Sequence, residues 1–196
     1  MIFDAAGNLY GTTYEGGGLN NGTVFELTPQ AGGGWTENLL YNFGNGTDGA
    51  GPEAGLIFDA AGNLYGTTGG GGIYGAGTAF ELTPTAGGGW TEKLLHSFGN
   101  GTDGSYPQAS LTIDAARNLY GTTNGGGTYG GGTVFRVNAH GGREQVLHSF
   151  GNVTDGAYPY AGLIIDKNGN LYGTTLNGGG TSGSGTVFEI RSSIVP

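Results

Sequence analysis

The chain has 196 residues, 47 of them glycine and none cysteine, with a formal net charge of −9. Only six residues are Lys or Arg, so it lacks the basic footprint that displaces counterions from phosphates, and neither nucleic acid nor an anionic membrane surface is an expected partner. Disulfides and thiolate metal sites are excluded, and no apolar run approaches the length of a membrane span, so bilayer insertion is not expected. So much glycine suits a low-complexity chain, yet nine Phe, eleven Tyr and two Trp stand among the glycines at recurring places. That apolar material can form a core, and the glycines read as turns and close backbone approaches.

The chain opens on Ile2-Phe3-Asp4, inside a repeating unit. Residues 2–13 read IFDAAGNLYGTT, and the same string returns at 57–68. IDAARNLYGTT follows at 113–123 and IDKNGNLYGTT at 165–175. A second marker comes after each copy: GTVFEL at 22–27, GTAFEL at 77–82, GTVFRV at 132–137 and GTVFEI at 185–190. A third is FGNGTDG at 43–49 and 98–104, with FGNVTDG at 150–156. Three markers in constant order define four repeats, bounded as 1–49, 50–104, 105–156 and 157–196. With no targeting signal before Met1, the chain is expected to be an excerpt of a longer protein.

In the second repeat, Leu56–Phe58 is a first predicted strand, ended by the turn 59–63. Leu64–Thr68 is the second, followed by a glycine loop at 69–77, and Thr78–Leu82 is the third, ended by Thr83-Pro84. Trp90–Phe98 is the fourth, with Trp90, Glu92, Leu94, His96 and Phe98 on one parity and hence one face. Four short antiparallel strands per repeat of about 55 residues predict an all-β chain, a β-propeller of four-stranded blades. It would form a closed four-bladed ring or part of a larger one, and a β-solenoid is the competing architecture. The fourth repeat has three clear strands, and only Ile194-Val195 could supply another. The third strand there is then an open edge, and homo-oligomerisation through it is expected.

LYGTT, a glycine loop, GTVF, LHSF and a DG-x-YP turn together resemble the gloeo/verruco ("GloVer") tandem repeat of bacterial surface and secreted proteins. The DAAGNLY turn is similar to that of NHL-type propeller blades. The resemblance spans essentially the whole chain. It implies an extracellular or cell-surface protein and brings neither an established activity nor catalytic residues.

Gly70-Gly72-Gly75, Gly125-Gly127-Gly130 and Gly178-Gly180-Gly183 match G-x-G-x-x-G formally. A dinucleotide site needs the last glycine to open a helix, whereas these loops run into strands. Asp4, Asp59, Asp114 and Asp166 start hairpin turns as backbone acceptors. Asp166, Asn168 and Asn170 also match the opening of a calcium loop, without the Glu that closes one. Asn45 with Asp48, Asn100 with Asp103, and Asn152 with Asp155 gather oxygens around glycines; they read first as turns, with calcium as the alternative. No other cofactor is expected.

His96 and His148 stand where the first repeat has Tyr41, which favours packing over catalysis. Glu26, Glu81 and Glu189 give way to Arg136 in the third repeat, which suits salt bridging. No G-x-S-x-G occurs, and no recurring carboxylate pair marks an acid and a base. Tyr10, Tyr65, Tyr120 and Tyr172 belong to the core. In a meander, the loop between the second and third strands emerges on the same face as the loop leading to the next repeat. That face would gather Tyr14, Tyr74 and Tyr129 with Tyr106 and Tyr158, joined by Asp48, Asp103 and Asp155. Tyrosine rings beside small polar groups suit a sugar or surface polymer. The leading expectation is a non-catalytic extracellular binding module, with carbohydrate as the first ligand class. The alternatives are a self-assembling structural repeat and a propeller enzyme of lyase or lactonase type.

Overall fold

In a computed structural model of the chain, residues 1–141, 143–152, 154–180 and 183–192 are described. They form four antiparallel meanders in tandem. The first sheet comprises β1 (Ile2–Phe3), β2 (Leu9–Thr13), β3 (Thr23–Pro29) and β4 (Trp35–Asn42). The second comprises β5 (Ile57–Phe58), β6 (Leu64–Thr68), β7 (Thr78–Pro84) and β8 (Trp90–Ser97). The third has β9 (Thr112–Ile113), β10 (Asn118–Thr123), β11 (Thr133–Asn138) and β12 (Gln145–Ser149). The fourth has β13 (Ile164–Ile165), β14 (Leu171–Thr175) and β15 (Thr186–Ile190). Ile194-Val195 lies outside the described residues.

The repeat signature folds this way for local reasons. In each turn the leading Asp accepts from two backbone amides, as when Asp59 Oδ1 takes the N–H of Ala61 at 2.9 Å and of Asn63 at 3.0 Å. The next strand carries LYGTT, whose Gly66 lies directly across from Phe80. A Cβ on Gly66 would stand 2.6 Å from the Phe80 ring, so glycine is what lets that ring lie across the strand. The same pairing recurs for Gly11 and Phe25, Gly121 and Phe135, and Gly173 and Phe188. The last Thr of LYGTT meets the first Thr of the third strand through a 2.8 Å hydroxyl pair in all four sheets.

Two expectations about the strands need correction. The third strand does not stop before Thr83-Pro84, because those residues pair with Thr91 and Trp90. The fourth strand does not keep one parity. A β-bulge between Ala79 and Phe80 leaves Leu95 unopposed, so Leu94 pairs with Phe80 while His96 pairs with Ala79. Leu94 therefore faces the preceding sheet and His96 the following one. The bulge recurs at Val24/Phe25 and Val134/Phe135.

The core lies between sheets. Phe43 meets Phe80 at 5.1 Å, Phe98 meets Phe135 at 4.8 Å and Phe150 meets Phe188 at 4.9 Å, three copies of one contact. Neighbouring sheets are also hydrogen-bonded, the hydroxyls of Thr12, Thr67 and Thr122 donating to the carbonyls of Ala54, Ala109 and Ala161.

Candidate functional site

The loop face is built by stitching neighbouring repeats together. The loop entering each new repeat bridges to the loop between its own second and third strands: Ala50 to Gly70, Ser105 to Gly125 and Ala157 to Asn177. One residue on, Gly51, Tyr106 and Tyr158 act as latches. Their amides donate to the carbonyls of Asn21, Ala76 and Gly131 of the preceding repeat, and their carbonyls accept from Gly69, Asn124 and Leu176 of their own. The position requires a left-handed backbone, which glycine adopts freely. Tyr106 and Tyr158 nevertheless hold φ near +59°, a strain of about 1–2 kcal/mol for a residue with a Cβ.

Beside the first latch lies a cavity of about 420 Å³. Tyr14 and Tyr106, both substantially exposed, flank it, and Asn20, Asn21, Glu53 and Gln108 supply its polar groups. The Gln108 amide donates to Glu53 at 3.0 Å and accepts from Asn124 at 2.7 Å, which fixes its orientation. Tyr74, Tyr129 and Tyr158 are exposed on the loops of the later repeats and do not line this cavity. Of the five loop tyrosines, the fold brings Tyr14 and Tyr106 together. Glu53, Gln108, Asn20 and Asn21 were not singled out from the sequence. A signal existed at position 53, which reads Glu53, Gln108 and Tyr160 after an unchanging Pro.

The loop aspartates have another task. Asp48 is only 6% exposed, and its carboxylate accepts from the Tyr41 hydroxyl at 2.8 Å and from the Gly44 amide at 3.0 Å. Asp103 accepts from Gly99 N and pairs with His96 Nε2, and Asp155 does the same with Gly151 and His148, each at 3.0–3.1 Å. These carboxylates close their loops from inside. Among the described residues no three His, Asp or Glu side chains cluster as a metal site would require. Asn45, Asn100 and Asn152 belong to the same loops. The His96 ring sits edge-on to Phe98 at 4.7 Å; burial holds its pKa below the ordinary value, against the pull of Asp103.

Facing these loops from the next sheet are Glu92 and Glu144, each with a buried, unpartnered Oε1. Burial, with the charge of Asp48 added, pushes Glu92 up to about 7. Burial and Asp103 push Glu144 up to about 8, against Arg143. Glu144, Arg143, His96 and Asp103 line a cavity of about 460 Å³ between the second and third sheets.

At the opposite ends of the strands each repeat places a tyrosine hydroxyl against carboxylates. Tyr65 donates to Glu81 at 2.7 Å and to Asp59 at 3.0 Å, and Tyr10 to Glu26 at 2.8 Å and Asp4 at 3.3 Å. Burial works against ionisation of Asp4 and Asp59, but the turn amides and asparagine side chains win and hold both below the usual carboxylate range.

Residues 1–194 match the Gloeobacter/Verrucomicrobia repeat family, and the chain belongs to it. No curated protein matches the chain.

Proposed function

We propose that the chain is a non-catalytic binding module displayed outside the cell, its four sheets serving as blades of a β-propeller. Its ligand is a carbohydrate, taken at the cavity beside the first latch. The observation that carries this reading is the pair Tyr14 and Tyr106, two exposed rings flanking a polar pocket of about 420 Å³. A sugar ring presents apolar C–H faces and an equator of hydroxyls. Tyrosine offers a flat apolar surface at small entropic cost, and Glu53, Gln108, Asn20 and Asn21 offer donors and acceptors around it. The repeating Phe–Phe contacts between successive sheets support the propeller reading, since the second and third meanders use both faces for their neighbours. A glycan array tests the ligand class. Wild type should retain a glycan that Tyr14→Ala and Tyr106→Ala release with melting temperature unchanged for Tyr14→Ala; retention by both variants refutes the site.

A second reading, self-assembly, has its own observation. Val24, Ala79 and Val134 are 0% exposed because the following sheet covers them, whereas Val187 at the same position is 82% exposed. Ile164 is exposed on that face too, and Phe3, Trp35 and Leu39 are exposed on the opposite face of the first sheet. These two faces repeat the chemistry of the internal interfaces, so the fourth sheet of one copy fits the first sheet of another. Sedimentation at micromolar concentration should then show a dimer or larger ring, and a strict monomer refutes this reading.

A further inference from the structure

The four tyrosine–carboxylate sites are alike in design and differ in what neutralises them. In the second repeat a guanidinium arrives from the third. Arg117 reaches back to Asp59 at 2.8 Å and Glu81 at 3.1 Å and also donates to the Tyr65 hydroxyl. Its guanidinium carbon lies 6.0 Å from the centre of the Tyr65 ring, in reach of a cation–π contact. In the third repeat Arg136 replaces the glutamate and hydrogen-bonds Tyr120. In the fourth, Arg191 pairs with Glu189 at 3.2 Å. The first site, with Asp4, Glu26 and Tyr10, has no cationic partner among the described residues.

The reason is one residue. Arg117 occupies the turn position held by Gly62 in the second repeat, and Gly62 is the residue that would reach back to the first site. Arg117 accepts a left-handed φ of +63° there, where the other three repeats place Gly7, Gly62 and Gly169. That strain is offset by the ion pairs it makes. Arg117 lines a cavity of about 350 Å³ between the second and third sheets; with Gly62 at that position, the corresponding cavity between the first two sheets is about 510 Å³. Asp4 and Tyr10 line one side and Phe58, Gly62 and Trp90 the other. Phe58 stands edge-on to Tyr10 at 5.0 Å and Trp90 at 6.5 Å.

We infer that this cleft is a guanidinium-binding site that takes an arginine side chain of a partner polypeptide, as the neighbouring site takes Arg117. The receiving atoms have shown capacity for it. Asp59 Oδ2 already accepts from Asn63 and Tyr65 and still pairs with the arginine, and Asp4 Oδ2 has the same two partners and no third. Aromatic walls add cation–π attraction and exclude water from the pair. A polypeptide source is favoured over free arginine, because the neighbouring site is filled by a side chain on an uncharged backbone, whereas free arginine brings an ammonium and a carboxylate to be desolvated beside apolar walls.

Calorimetric titration of the intact chain with N-acetyl-arginine amide tests the site, with the neutral citrulline analogue and free L-arginine as further arms. The arginine amide should bind saturably and quench Trp90. The citrulline analogue should bind at least about tenfold more weakly, the loss of one charge-assisted interaction. Gly62→Arg, which copies the third repeat's own turn, should abolish binding without lowering the melting temperature. Glu26→Gln should weaken it by about tenfold. Equal affinity for citrulline, or full binding by Gly62→Arg, overturns the site. Tighter binding of free arginine than of the amide overturns the polypeptide source.

Discussion

Replacing Glu92 and Glu144 together by Gln removes two carboxyls that face the preceding sheet without a partner for one oxygen each. Both hold their proton in the folded chain at pH values where the unfolded chain has released it. Their contribution to stability is therefore full below pH 4.5 and is lost as pH rises through about 7 for Glu92 and about 8 for Glu144. At about 1.4 kcal/mol per pH unit the two would together cost several kcal/mol in a dry interior, and solvent around half-buried groups reduces this to roughly 2–4 kcal/mol. His96 acts in the opposite sense, since a depressed histidine loses stability as pH falls, and above pH 6.5 it adds at most about 0.4 kcal/mol. Urea unfolding at pH 6.5 and at about pH 8.5 therefore isolates the glutamates. Wild type should lose roughly 0.5–1.5 kcal/mol across that interval, the last third or so of the total, while Glu92→Gln/Glu144→Gln should be nearly flat. A flat wild-type profile, or an unchanged slope in the double variant, would refute the assignment.

Gly66→Ala should lower stability by about 1–3 kcal/mol in a thermal melt, because its Cβ would stand 2.6 Å from the Phe80 ring. Tyr65→Phe should cost about 1–3 kcal/mol, since Asp59, Glu81 and Arg117 all lose a partner. Tyr10→Phe, whose site lacks the arginine, should cost less in the same denaturation series. Val187→Asp should reduce self-association in sedimentation while leaving the melting temperature of the dilute chain unchanged.

The repeat, the antiparallel meanders and the turn aspartates were legible because local chemistry repeats itself: the Asp that caps a turn does so wherever the string recurs. Facing was less legible. A single unopposed residue, Leu95, reverses the side on which His96 emerges, and nothing in LLHSF announces the bulge. The loop aspartates looked like surface groups because Asn-Gly-Thr-Asp-Gly is a polar string, yet Asp48 and Asp103 turn inward to hold Gly44 and Gly99. Arg117 was visible as an odd residue in DAARN, but its partners Asp59, Tyr65 and Glu81 belong to the repeat before it. The cavity at Tyr14 and Tyr106 draws on residues more than fifty positions apart, and only the latch at residue 51 brings them side by side.

The latches at Gly51, Tyr106 and Tyr158, with the Thr12, Thr67 and Thr122 hydroxyls, join each repeat to its immediate neighbours. A chain wired in this nearest-neighbour manner unfolds as a row of coupled units, in which end units lack one partner and open first. Amide exchange should accordingly be slowest in β6 and β10 and faster in β2 and β14, although all four strands carry LYGTT. The same wiring lets the gene lengthen or shorten by whole repeats, since a duplicated unit meets two ready-made partners. Changes of a few residues are tolerated too: the loop between the second and third strands is one residue longer in the fourth repeat, 176–185 against 69–77, and still makes its bridge through Asn177. The span between signatures falls from 55 to 52 residues across the third repeat, where the outer hairpin runs only from Thr133 to Ser149 against Thr78 to Ser97 in the second.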